Sequence, residues 1–84
     1  MHSQIVLARL AGTLCGRARF QQWVSSRVGA APGGVSAQQH AADFVRTQCG
    51  VSSRSQLDHD DKAAALFHLR VRKPFLAWLE AQSK

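Results

Sequence analysis

Three carboxylates stand almost together at Asp58, Asp60 and Asp61, with His59 between the first two. A carboxylate pair does acid–base work when its members sit in environments that push their proton affinities apart. These three instead fall where a helix begins, and Asp58 or Asp60 is placed to accept the free amides of its first turn. The remaining metal-ligating candidates, His40, Cys49, His59 and His68, form neither a Cys-x-x-Cys nor a His-x-x-x-His pair, so zinc is not expected. No nucleophile has a recognisable motif around it, and no glycine-rich loop matches a phosphate cradle. The chain reads as non-enzymatic, with no metal and no cofactor.

Its charge is the stronger signal. Eleven Lys and Arg against five Asp and Glu give a net charge of +6, which favours an anionic partner: nucleic acid, an acidic protein surface or an anionic membrane. Arg9, Arg17, Arg19 and Arg27 mark the N-terminal half, and Arg70, Arg72 and Lys73 cluster before Pro74, next to Phe75 and Trp78. Basic residues beside aromatics can hold a nucleic-acid strand by phosphate pairing and base stacking. Arg54, Arg70, Arg72 and Lys73 are the candidate phosphate contacts for single- or double-stranded DNA. The alternative is a host protein as partner. Phe20, Trp23, Phe75 and Trp78 either fill the core of so small a domain or leave one aromatic patch exposed as an anchor, and Trp23 and Trp78 are the candidates for that anchor.

The elements that must position these residues are all helical. Val6, Leu10 and Leu14 make a stripe at four-residue spacing, with Ile5 and Leu7 alongside, in a helix over residues 3–14 that Gly12 weakens and Gly16 ends. Phe20, Trp23, Val24 and Val28 give a second amphipathic helix over about residues 17–28; the two also read as one helix bent at Gly16. Gly29 to Val35, with Pro32-Gly33-Gly34 at its centre, is the one clear loop. Ser36 with Gln39 has capping-box spacing and opens a helix to about Cys49, with Phe44 and Val45 as a narrow apolar stripe. Asp60 to Lys73 forms the longest apolar-periodic segment, and Pro74 either starts a new helix or kinks this one before Phe75, Leu76, Trp78 and Leu79. The fold class is all-α, a compact bundle of four to five short helices in one domain.

Residues 48–58 form the corner between two of those helices. Gly50 can close a helix in the left-handed conformation, and Ser53 with Gln56 again has capping-box spacing. Residues 37–57 also resemble a helix-turn-helix, in which Ser53, Arg54, Ser55 and Gln56 would open the helix that enters the major groove. The objection is electrostatic: Asp58, Asp60 and Asp61 come directly after and would approach the phosphates. A structural corner is the preferred reading.

Eighty-four residues suit one small domain. Cys15 and Cys49 each precede a glycine at a helix end, where a small thiol packs like alanine, and two cysteines do not make a secreted disulfide scaffold. The N-terminus carries neither a membrane span nor the order of a signal peptide. The expected setting is cytoplasmic, without membrane attachment, and self-association through the N-terminal helix is compatible with every reading.

The cadence Cys49-Gly50-Val51-x-Ser53-Arg54-x-x-Leu57-Asp58-x-Asp60, continued by Ala63, Phe67-His68, Arg72, Pro74-Phe75 and Trp78, resembles small accessory proteins of tailed-phage and prophage genomes. Leu14-Cys15 with Phe20-Gln21-x-Trp23 fits the same cadence in the N-terminal half. Such proteins are often encoded near recombination and replication genes. The resemblance implies a phage accessory protein that acts on nucleic acid or binds a host protein, and it assigns no functional residue.

Overall fold

A computed structural model describes residues 7–83. The chain is all-α: α1 (Leu7–Cys15), α2 (Ala18–Val28), α3 (Ala37–Cys49), a 3-10 turn (Arg54–Asp58), α4 (Asp61–Phe67), a π segment (His68–Arg72) and α5 (Lys73–Gln82). Among the described residues there is no strand. Phe67, His68, Arg72 and Lys73 all keep right-handed helical dihedrals, so the last three elements form one continuous helix over residues 61–82. Over the described residues the bundle therefore has four helices and one 3-10 turn.

Most boundaries arise from local chemistry. Ser36 accepts the Gln39 amide at the start of α3 (3.0 Å), and Asp60 accepts the Lys62 and Ala63 amides at the start of α4 (3.0 and 3.3 Å). Gly50 closes α3 at φ 69°, ψ 33°, which a side chain disfavours. There the Val51 amide donates to Arg46 and the Gly50 amide to Thr47, the paired bonds of a Schellman stop. Gly16 ends α1 differently, at negative φ, with Gly16 and Arg17 donating to Thr13 and Leu14. Arg17 is then extended (φ −93°, ψ 134°), so α1 and α2 are separate helices rather than one bent helix.

Pro74 neither starts a separate helix nor breaks this one. A proline ring inside an α-helix collides with the carbonyl four residues back, here that of Arg70. The turn before it is widened to the π form, with the Lys73 amide donating to the His68 carbonyl five residues earlier. The wider turn makes room for the ring, and the chain continues into α5.

The core differs in detail from the apolar stripes read in the sequence. In α1 the buried residues are Leu7, Ala11 and Cys15, while Leu10 and Leu14 pack at its edge. The stripe through Leu10 and Leu14 is displaced because small residues at 11 and 15 let α1 approach the bundle closely. Ile5 and Val6 lie outside the described residues. In α3, Ala41, Ala42 and Cys49 join Phe44 and Val45 in a broad buried face. Val28 and Leu76 are 52% and 47% exposed and do not belong to the core.

At the centre, aromatic rings join three helices. Phe20 meets Phe75 edge-on at 5.0 Å between centroids, Trp23 meets Phe44 edge-on at 5.3 Å, and Trp23 lies 5.7 Å from Phe75. Trp23 is only 2% exposed, which removes it as a partner-binding anchor: its ring is the junction of α2, α3 and α5. Trp78 stacks on Phe75 at 6.2 Å and is half-buried at the margin of this cluster.

Arg17 occupies the N-cap position of α2 without a side-chain hydrogen bond to the first turn. Arg17→Ser supplies that acceptor without placing a carboxylate at the end of α1, and should stabilise the fold by about 0.5–1 kcal/mol. Gly12→Ala should add a similar amount, since its new methyl would meet nothing closer than the Arg54 guanidinium at 3.9 Å. Urea unfolding checks both, as a raised midpoint at unchanged slope.

Candidate nucleic-acid interface

The helix-turn-helix expectation for residues 37–57 is met by its first helix and its turn, and not by its second helix. Beyond the turn stands a five-residue 3-10 element with Leu57 buried beneath it, too short to lie along a major groove. The corner is instead held by its own polar groups. Gln56 Oε1 accepts from the amides of Ser52 and Ser53 and from the Ser52 hydroxyl at 2.8, 3.1 and 2.8 Å. Ser53 Oγ accepts the Ser55 amide at 3.2 Å. The nearby carboxylates are also taken up: Asp60 caps α4, and Asp58 reaches across the fold to accept the Ala8 amide in α1 (3.2 Å). That long-range bond, fifty residues apart in sequence, ties the corner to α1.

This corner places Arg54 where no sequence pattern puts it. Its guanidinium lies against α1 at Gly12 and beside the Cys15 thiol, and it is half-buried. Together with Arg9 of α1 and Arg46 of α3 it lines a depression of about 630 Å³, completed by Ala8 and by Ser52, Ser53 and Ser55. Arg46 and Arg54 continue into a second depression of about 210 Å³ toward the start of α3, where Ser36, Gln38 and Gln39 contribute. Arg46 also borders a third of about 620 Å³ over the end of α3. The result is a concave strip along α3 with Arg46 common to all three parts. Its one carboxylate, Asp43, is held by Arg46 and accepts the Gln39 side-chain amide at 3.0 Å.

The other candidate cations lie elsewhere. Arg70 donates to the Gln48 carbonyl at 3.3 Å, and so neutralises the end of α3. Arg72 and Lys73 are exposed on the π segment and at the start of α5. None of these three lines the strip, so Arg54 is separated from the cluster with which the sequence grouped it. Arg9 and Arg46 are the partners that the sequence did not single out for it. The signal available was indirect: Arg46 precedes the glycine stop by four residues, and so faces the same corner.

The titratable and nucleophilic side chains have structural places. His40 Nε2 donates to the Gly29 carbonyl at 2.9 Å and pins the glycine-rich loop to α3. His68 lies edge-on to Phe67 at 5.8 Å, and its Nδ1 is buried without a hydrogen-bond partner among the described residues. Among those residues, no three His, Cys, Asp or Glu side chains are grouped so as to hold a metal ion, and no helix is long and apolar enough to cross a membrane. Comparison with protein-family models, curated proteins and solved structures finds no match for this chain, so the site is read from its geometry.

Both cysteines are free and buried. Burial raises the Cys49 thiol from the ordinary 9.0 to about 11, with Arg70 pulling the other way. Cys15 is raised by burial too, offset in part by Arg54 and Arg46. An unfolded thiol ionises before the folded one does, so the stability tied to Cys49 is fully present below pH 9.0 and lost as the pH rises to about 11. Urea titrations across that window should show this decline, and Cys49→Ala should lessen it, with Cys15 accounting for part of what remains. In the folded protein at about pH 8, both thiols should resist iodoacetamide until denaturant is added.

Proposed function

We propose that this protein is a non-enzymatic DNA-binding module that holds the phosphate backbone along the strip centred on Arg46. The observation that carries this reading is the convergence of Arg9, Arg46 and Arg54, from three separate elements, on one concave surface lined with serines. Guanidinium groups present several N–H donors in a fixed fork, which suits phosphate oxygens. Arg46 keeps further donors after pairing with Asp43, and the serine hydroxyls add short polar contacts. A strip with several cations along its length fits a polyanion better than a single small anion.

The net charge of +6 supplies long-range attraction in the same direction. Arg72 and Lys73, exposed and away from the strip, add to that field without being part of the site. The contacts available are to phosphate and sugar, and the 3-10 element in the recognition-helix position is too short for base readout, so binding should depend little on sequence. The resemblance to small phage accessory proteins suggests the setting, a role in phage or prophage DNA metabolism.

Fluorescence anisotropy with labelled single-stranded and duplex DNA tests this at two or more salt concentrations. Affinity should fall steeply as salt rises, because each neutralised phosphate releases counterions. Arg9→Ala, on an exposed residue, should weaken binding several-fold on every sequence and lower the salt slope by about one. Arg54→Ala should do the same, with urea unfolding run alongside because that side chain also packs on α1. Absence of binding at low salt, or binding that ignores salt, would remove this function.

A further inference from the structure

A second surface lies apart from the arginine strip and shares no lining residue with it. The end of α1, the start of α2 and one face of α5 enclose a groove of about 530 Å³, lined by Leu14, Arg17, Ala18, Arg19, Phe75, Leu76 and Leu79. Its floor is apolar, and among the described residues its only charged lining is the two arginines at the start of α2. Leu76 remains 47% exposed here, although the Phe75 ring beside it is buried. We infer that this groove takes an amphipathic helix of a protein partner, with apolar anchors on the floor and carboxylates facing Arg17 and Arg19.

The geometry and charge select that occupant over others. Leu76 and Leu79 lie one helical turn apart on α5, and with Leu14 they form a trough of the kind that receives side chains at i, i+3, i+4 and i+7. A bilayer cannot fill a concave surface; it takes up apolar side chains that project. A second copy of the chain would bring its own Arg17 and Arg19 to the seam, and each copy carries a net charge of +6. Like charges face to face oppose that pairing, whereas an acidic helix is attracted. The anchor role expected of an aromatic residue passes here to leucines, with Phe75 as part of the floor and Trp78 stacked behind it.

The probe is a labelled synthetic amphipathic peptide with leucines at i, i+3, i+4 and i+7 and glutamates along one flank. Its counterpart carries lysines in place of the glutamates. Anisotropy should show the acidic peptide binding at least tenfold tighter than the basic one. Leu76→Asn, at a half-exposed position, should weaken the acidic peptide by about tenfold while leaving DNA binding unchanged. Arg17→Ser with Arg19→Ser should remove the preference for the acidic peptide, and the N-cap hydroxyl gained by the first substitution keeps that variant folded. Equal binding of the two peptides, or none at millimolar concentration, would overturn the inference. So would anionic vesicle binding that Leu76→Asn abolishes, or a dimer in sedimentation that the same substitution dissolves.

Discussion

The ring contact between Trp23 and its neighbours is the constraint on which the rest of the bundle depends. Trp23 touches Phe44 and Phe75, and Phe20 touches Phe75, so α2, α3 and α5 meet at one point. In a chain of 84 residues few other side chains are large enough to join three helices at once. Cation–π contact extends the same ring to the surface, with Arg27 lying 5.5 Å from the centre of Trp23. Because α3 is fixed in this way, Arg46 is held in place. Because Asp58 ties the 3-10 turn to α1, Arg54 and Arg9 are brought to the same strip.

The features legible in the sequence were local ones. Ser36 with Gln39, Ser53 with Gln56, Asp60 before Ala63 and Gly50 after Cys49 each act through bonds to residues within a few positions, so their spacing carries their meaning. The all-α class came from these signals together with the helical spacing of apolar residues. The strip was only partly legible: Arg54 was picked out, but Arg9 and Arg46 are brought to it by tertiary contacts that leave no periodic mark. Local pattern was also blind to context. Phe20-x-x-Trp23 and Phe75-x-x-Trp78 are the same motif, yet the first Trp is enclosed between helices and the second stands at the margin.

The two candidate surfaces differ in how they are built. The arginine strip is assembled from three elements and rests on the corner, whose polar groups are mutually satisfied and therefore rigid. The leucine groove is left over where α2 diverges from α1 after Gly16, and its apolar floor has no covering element among the described residues. On the two proposals made here, one surface takes phosphate and the other a helix. The thiols at Cys15 and Cys49 line neither surface; they fill space at the ends of α1 and α3.

The π turn has a further consequence, in the phase of the last helix. Ala63, Phe67, Val71 and Phe75 are all buried and fall at every fourth position. On a helix of 3.6 residues per turn, each such step drifts by about 40°, or about 120° over the three steps, which would swing Phe75 away from the core. Accommodating one extra residue in a turn rotates everything downstream back by about 100°. The widened turn at His68–Arg72 thus straightens a stripe that a uniform helix would wind around its own axis. The room made for Pro74 and the aim of Phe75 at Trp23 are two results of a single inserted residue.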